Sequence, residues 1–254
     1  MNSPMAYVGG KSRLAAQIIS MLPEHETYCE VCTGAGWVFF KKDPMLSKSE
    51  VLNDLDGELI SFYRVVQNHL EEFLKQFKWL LTSRQMFEEW KSQLETGGLT
   101  DIQKAARYYY TQRLCYGGRV RNRSFGVSPG RAGKINIIRL EEEMSQVHMR
   151  LSGCVVEHLP WQNLVARYYR PDTFFFIDPP YYKAPYYNHN MVLDDYKEMA
   201  GILGGVKGKF LLTINDLPEI REVFKDFKQL EVKLRYSVSQ KSATEGKELI
   251  FTNY

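Results

Sequence analysis

Residues 174–181 read Phe-Phe-Phe-Ile-Asp-Pro-Pro-Tyr, and no other stretch restricts the possible folds as strongly. Four apolar residues bounded by polar ones predict a buried strand, with a packed layer on each face. The residues that follow then sit at the strand's carboxyl end, where open α/β sheets hold their ligands. Two consecutive prolines fix φ and donate no N–H, so the Pro179 carbonyl is held outward beside the Asp178 carboxylate. Together they offer two acceptors to a planar amino group. An amino nitrogen conjugated to a ring is a poor nucleophile because its lone pair is delocalised. Accepting both its hydrogens steers it toward tetrahedral geometry, with the lone pair aimed at an electrophile. Tyr181 adds a ring face on which a base can stack.

Other segments supply the sheet that such a strand needs. Residues 27–32 predict a strand, and Thr33-Gly34-Ala35-Gly36 turns it into a helix starting near Trp37. Gly-x-Gly at that place permits a tight turn and close approach of a ligand. Residues 49–52 predict a second strand ending in Asn53-Asp54, and Asp54 lies 18 residues beyond Gly36. An acidic side chain there binds ribose hydroxyls in Rossmann-like units, while capping of the next helix is a second role open to it. Further strands are expected at 154–158, 210–214, 232–238 and 249–252, the last two as an antiparallel edge hairpin with a polar loop around Thr244 to Gly246. Helices are expected at 12–21, 138–151, 194–203 and 218–224.

Between residues 57 and 150 the pattern changes. Apolar residues recur at helical spacing over 57–77, 86–94 and 102–116 with no strand signal between them, and Tyr108, Tyr109 and Tyr110 read as core. The first cofactor-type turn and the Asp-Pro-Pro-Tyr strand are 144 residues apart, Gly34 to Asp178. Intervening βα units account for about 80 to 90 of these at roughly 30 each, so roughly 60 residues are an insertion.

Charge marks the same region. The whole chain carries +3, yet residues 104–134 hold eight basic side chains and no acidic one, which leaves −5 for the remainder. A basic patch on a mildly acidic protein points to a polyanion. Arg113, Arg119, Arg121, Asn122, Arg123, Arg131 and Lys134, interleaved with Gly, Tyr and Phe, suit phosphate and base-edge contact. A solvated basic loop is the bland alternative.

Composition excludes several other classes. No apolar run approaches the ~20 residues of a bilayer span, and Met1-Asn2-Ser3-Pro4 lacks signal-peptide character, so no membrane association and a cytoplasmic location are expected. Cys29 and Cys32 have C-x-x-C spacing without a second Cys or His pair, so no metal is expected. Gly9-Gly10-Lys11-Ser12 is no P-loop, because position 5 is Met5 where that motif needs glycine.

Taken in order, these segments resemble the Dam-like DNA adenine N6 methyltransferases that use S-adenosylmethionine. The likeness rests on aromatic-x-Gly-Gly-Lys at residues 7–11, Gly34-Ala35-Gly36, Asp54, the basic helical insertion and Asp178-Pro179-Pro180-Tyr181. It implies an α/β fold: a Rossmann-like methyltransferase sheet, mostly parallel with a reversed last strand, and an inserted helical target recognition domain. Residues 1–56 and 151–254 would form the catalytic domain, and 57–150 the insertion that holds double-stranded DNA. The resemblance implies catalytic roles for Asp178, Pro179, Pro180, Tyr181 and Lys11. It implies cofactor contacts for Tyr7, Gly9, Lys11, Glu30, Gly34, Ala35, Gly36, Asp54, Trp161 and Asp178, with S-adenosylhomocysteine as product, in a bacterial or phage-infected cell. Two departures stand out. Val31-Cys32 replaces the Pro-Phe common in the family, and Pro160 stands where many relatives place an acid against the cofactor's adenine. Trp161 keeps an apolar contact there or serves the core. Cytosine N4 methylation, methylation of RNA or of a protein glutamine, and silent DNA binding are the rival readings.

Overall fold

The expected alternation of strands and helices is present in the computed structural model, which describes residues 1–126, 135–184, 186–236 and 244–254, without the side chains of 137, 233–236 and 244–246. In chain order the elements are α1 (Ala15–Ser20), β1 (Thr27–Glu30), α2 (Trp37–Lys41), β2 (Ser49–Asn53), α3 (Gly57–Asn68), α4 (Leu70–Lys75), α5 (Arg84–Thr96), α6 (Asp101–Leu114), α7 (Ile137–Leu151), β3 (Cys154–Glu157), α8 (Trp161–Arg167), β4 (Thr173–Ile177), α9 (Leu193–Gly204), β5 (Lys209–Asn215), α10 (Pro218–Val223), β6 (Lys228–Tyr236) and β7 (Thr244–Thr252).

The strands form a seven-stranded sheet in the order β3-β2-β1-β4-β5-β7-β6. β1 pairs in parallel with β2 and β4, and β4 with β5, while β7 runs antiparallel to both β5 and β6. The sheet is therefore mostly parallel with a reversed last strand. The expected antiparallel edge hairpin is present: β6 and β7 pair along their length and close one side of the sheet, with β6 outermost and β7 between it and β5. Thr244 to Gly246 belong to β7 itself, so the loop is not where the polar residues suggested it.

Contacts divide the chain into two units: residues 1–20, 34–44 and 56–158, and residues 21–33, 45–55 and 159–254. Residues 57–150 fall within the first, which also takes in segments that the sequence pattern groups with the sheet.

The second unit is built on β4. All five of its residues are buried. Phe175 and Ile177 point to one face, into a cluster with Cys29, Val31, Tyr196, Phe210, Leu212, Leu249 and Phe251. Each such side chain contributes about 1.5–3 kcal/mol of burial.

Helices of the first unit start where short polar side chains can satisfy their open N–H groups. Asp56 accepts from the Glu58 and Leu59 amides at the start of α3, so the capping role considered for Asp54 belongs two residues later. Ser83 caps α5, Asn136 caps α7, and Thr100 with Gln103 forms a capping box on α6. Aromatic side chains then hold these helices together. Phe62 of α3 stacks on Tyr109 of α6 at 5.5 Å, and Phe73 and Phe77 meet the same ring edge-on. Burial pushes the Tyr109 phenol up to about 12. Among the described residues no helix is long and apolar enough to cross a membrane.

Candidate active site

Parallel register determines what stands beside Asp178. β4 and β5 pair Phe174 with Lys209 through Ile177 with Leu212, so one step further places Asp178 alongside Thr213. The fully buried Thr213 hydroxyl donates to Asp178 Oδ1 at 2.9 Å. Asn215, two residues on and thus on the same strand face, clamps Tyr182 twice: its Nδ2 donates to the Tyr182 carbonyl at 3.0 Å and its Oδ1 accepts the Tyr182 amide at 3.1 Å. The Tyr196 hydroxyl of α9 donates to the Pro180 carbonyl. The turn at 178–182 is thus fastened by three side chains from two elements. Pro179 is buried, and Tyr181 is half-buried against the core of this unit.

Negative groups gather at these strand ends. Burial raises the Cys32 thiol well above its ordinary value, and the charges of Asp54, Asp178 and Glu30 raise it further. The carboxyl ends of β1, β2 and β4 therefore bring three of the predicted residues into one electrostatic neighbourhood. Glu30 is buried and accepts from the Tyr28 hydroxyl at 2.6 Å. Tyr187 belongs to the same group: burial raises its phenol first, then the charges of Asp178 and Glu248. Asn53, buried at the end of β2, donates to the Val31 and Leu159 carbonyls and accepts the Leu159 amide at 2.8 Å, which ties the ends of β1 and β2 to the segment ahead of α8. Trp161 starts α8 and is half-buried against the core, with Pro160 at the capping position. Among the described residues no group of three His, Cys, Asp or Glu side chains is placed to hold a metal ion.

The remaining predicted residues form a second group, within the first unit. Gly34 and Gly36 have φ of +49° and +65°, a region that side chains rarely adopt, and a Cβ on Gly34 would lie 3.3 Å from the Tyr7 ring. Tyr7 therefore packs against the turn. The Tyr63 hydroxyl donates to the Gly34 carbonyl at 2.9 Å, and Ser3 Oγ donates to the Ala35 carbonyl at 2.6 Å. Lys11 is buried, with its ammonium donating to the Gly9 carbonyl at 3.1 Å.

This segment is joined to the start of the basic loop by one amide. Gln112, fully buried on α6, donates from Nε2 to the Ala6 carbonyl at 2.9 Å and to the Gly118 carbonyl at 3.0 Å. A Cβ on Gly118 would lie 2.8 Å from the Tyr7 nitrogen, so glycine is what lets the two backbones meet. The other face of Gln112 accepts from Arg123 Nε at 3.0 Å.

That contact changes the expectation for Arg123. It is only 8% exposed, pairs with Glu58 at 3.5 Å and covers the Tyr108 ring at 4.8 Å. A guanidinium so enclosed holds the corner together, and phosphate contact is withdrawn for it. Arg113 is half-buried, donating to the Pro4 carbonyl at 3.2 Å and pairing with Glu143 at 3.6 Å. Arg119, Arg121 and Asn122 are exposed. Arg131 and Lys134 lie outside the described residues.

Residues 7–238 match the family described as D12 class N6 adenine-specific DNA methyltransferase. The chain belongs to that family. Its substrate is accordingly adenine in DNA, modified at N6. It is 26% identical to the type II methyltransferase M1.LlaDCHI of Lactococcus lactis subsp. cremoris, over 98% of this chain and 94% of that one. It is 24% identical to the DNA adenine methylase of Escherichia coli strain K12, over 96% and 91% respectively. Among solved structures it is similar to SMU.472 complexed with SAH, at 12% identity and a TM-score of 0.41, with 96% of this chain matched to 52% of that one.

Residue types alone missed Thr213, Asn215, Tyr196 and Gln112. Thr213 and Asn215 had a signal, two polar residues spaced by two at a strand's carboxyl end. Gln112 had none beyond being an amide in an otherwise apolar stretch of helix.

Proposed function

We propose that this family member transfers a methyl group from S-adenosylmethionine to adenine N6 in double-stranded DNA, on a base flipped onto the turn at 178–182. The observation that carries the reading is the Asp178 carboxylate, held by Thr213 at the end of β4 and followed by the fixed carbonyl of Pro179.

The residues present suit the methyl donor. Gly34 and Gly36 hold left-handed backbone that leaves room for close approach, the Tyr7 ring lies against Gly34, and Asp54, the residue after β2, offers a carboxylate for ribose hydroxyls. Ala35, Gly9, Lys11, Glu30 and Trp161 complete the assigned contacts. When bound, the donor supplies an activated methyl group and is released as S-adenosylhomocysteine.

The chain's own part is to aim the acceptor. Asp178 and the Pro179 carbonyl take the two amino hydrogens, which localises the nitrogen lone pair, while Tyr181 stacks on the base and replaces part of the stacking lost on flipping. Extrusion costs a few kcal/mol. Most of the rate gain comes from positioning and from acceptors already in place when charge develops on nitrogen.

Residues 57–150 are assigned to duplex binding, with exposed Arg119, Arg121 and Asn122 contacting the backbone, joined by Arg113, Arg131 and Lys134. The bacterial and phage relatives support a cytoplasmic site of action. The test is incubation with labelled S-adenosylmethionine and plasmid DNA, followed by digestion to nucleosides. Label is expected in N6-methyladenosine. Label in cytosine, in RNA or protein alone, or nowhere overturns the proposal.

A further inference from the structure

We propose that Thr213 is a positioning residue for methyl transfer, setting the rotation of the Asp178 carboxylate; this rests on the role proposed for Asp178. A carboxylate turns about χ2 with little preference, so its direction comes from its partners. Thr213 is suited to supply one. Its β-branched side chain restricts χ1, full burial keeps water from competing for the hydroxyl proton, and the register of β4 against β5 brings its oxygen 2.9 Å from Asp178 Oδ1.

The surrounding contacts make this role separable from a structural one. The main chain of the turn is held elsewhere, by Asn215 at both polar atoms of Tyr182 and by Tyr196 at the Pro180 carbonyl. Removing only the Thr213 hydroxyl therefore leaves the turn and its stacking ring in place, and takes one fixed donor from the carboxylate. The loss belongs to the transition state, when the amino nitrogen must be held with its lone pair aimed, so it falls on kcat and leaves binding alone.

Thr213→Val keeps the shape and removes the donor, and Thr213→Ser keeps the donor. For Thr213→Val, kcat is expected to fall about 10- to 100-fold, the scale of a hydrogen bond to a charged group, with KM for DNA and for S-adenosylmethionine within about twofold. Thr213→Ser is expected to recover most of the rate. Thr213→Ala repeats the measurement if the valine variant does not fold. An unchanged kcat in Thr213→Val, an equal loss in Thr213→Ser, or a loss confined to KM overturns the inference. Asp178→Ala measured alongside separates the two levels. If it retains full activity, the proposed role of Asp178 falls and this inference with it. If it is inactive while Thr213→Val transfers methyl at the wild-type rate, only the role of Thr213 fails.

Discussion

The turn after β4 and the corner at residues 112–123 are both held by buried polar side chains, yet they distribute the work differently. Around the turn, Thr213, Asn215 and Tyr196 each make one kind of contact from neighbouring elements. At the corner a single amide, Gln112, meets the Ala6 and Gly118 carbonyls and Arg123 at once. Strand register allows the first arrangement, since neighbouring strands deliver side chains at fixed intervals. Among the described residues the corner has no strand ladder beyond the isolated Cys115 to Phe125 bridge and a few backbone bonds around it, so one side chain serves several partners. A change at the turn should therefore cost activity and spare the fold, whereas a change at the corner should cost the fold first.

The largest expected effect tests the first half of that contrast. In Asp178→Ala, methyl transfer should fall by about 10³-fold while duplex binding stays within about twofold in a gel-shift or anisotropy titration. An equal loss of duplex binding would place Asp178 in the structure and erase the contrast.

Next comes a pair of arginines two residues apart. Arg123→Ala removes the partner of Gln112 and Glu58 from a buried site and should lower unfolding free energy by about 3 kcal/mol in urea melts. Arg121 is exposed, and Arg121→Ala should leave stability within about 0.5 kcal/mol while weakening duplex binding and reducing its salt slope by about one. Equal stability losses in the two would end the distinction between them.

These two arginines also mark what residue types can say. The strand at 173–177 was legible because four apolar residues in a row leave a chain few options, and the helices of 57–114 because their apolar period is regular. Burial of Arg123 was not legible, since it depends on where the Gln112 side chain meets the loop. Asp54 and Asp56 are the same residue two apart, and only helix geometry decides which one caps. Thr244 to Gly246 read as a loop because they are polar and contain a glycine, yet their backbone belongs to β7, since local pattern does not fix where a strand begins. Thr213 was passed over because its bond to Asp178 arises from pairing with a strand more than thirty residues earlier.

Gln112→Leu is the sharper test of the corner, because it fills the same space and removes every bond at once. The Ala6 and Gly118 carbonyls and Arg123 lose a partner inside the protein, and about 2 kcal/mol of stability should go with them. Methyl transfer measured well below the lowered melting point should recover most of its rate. A persistent loss there would mean that the corner acts on the chemistry as well as the fold.

The smallest effect is expected just past β5. Arg221 donates from Nε and Nη2 to the two oxygens of Asp216 at 2.6 and 2.8 Å, and these bonds hold the Asp216 carboxyl below the usual carboxylate range. A carboxyl lowered on folding adds stability above its unfolded value, about 3.9, and that stability is lost as pH falls through the lower native value. Arg221→Ala should therefore be slightly less stable than wild type at pH 7, by little because the pair is solvent-screened, and the two should converge as pH falls below the native Asp216 value. Asp216 neighbours Asn215 but makes none of the contacts that hold the turn, so transfer rates should agree within about twofold at neutral pH. A larger drop in rate would show that charge beside β5 also aims the turn, and the division of labour drawn between the two regions would have to include this ion pair.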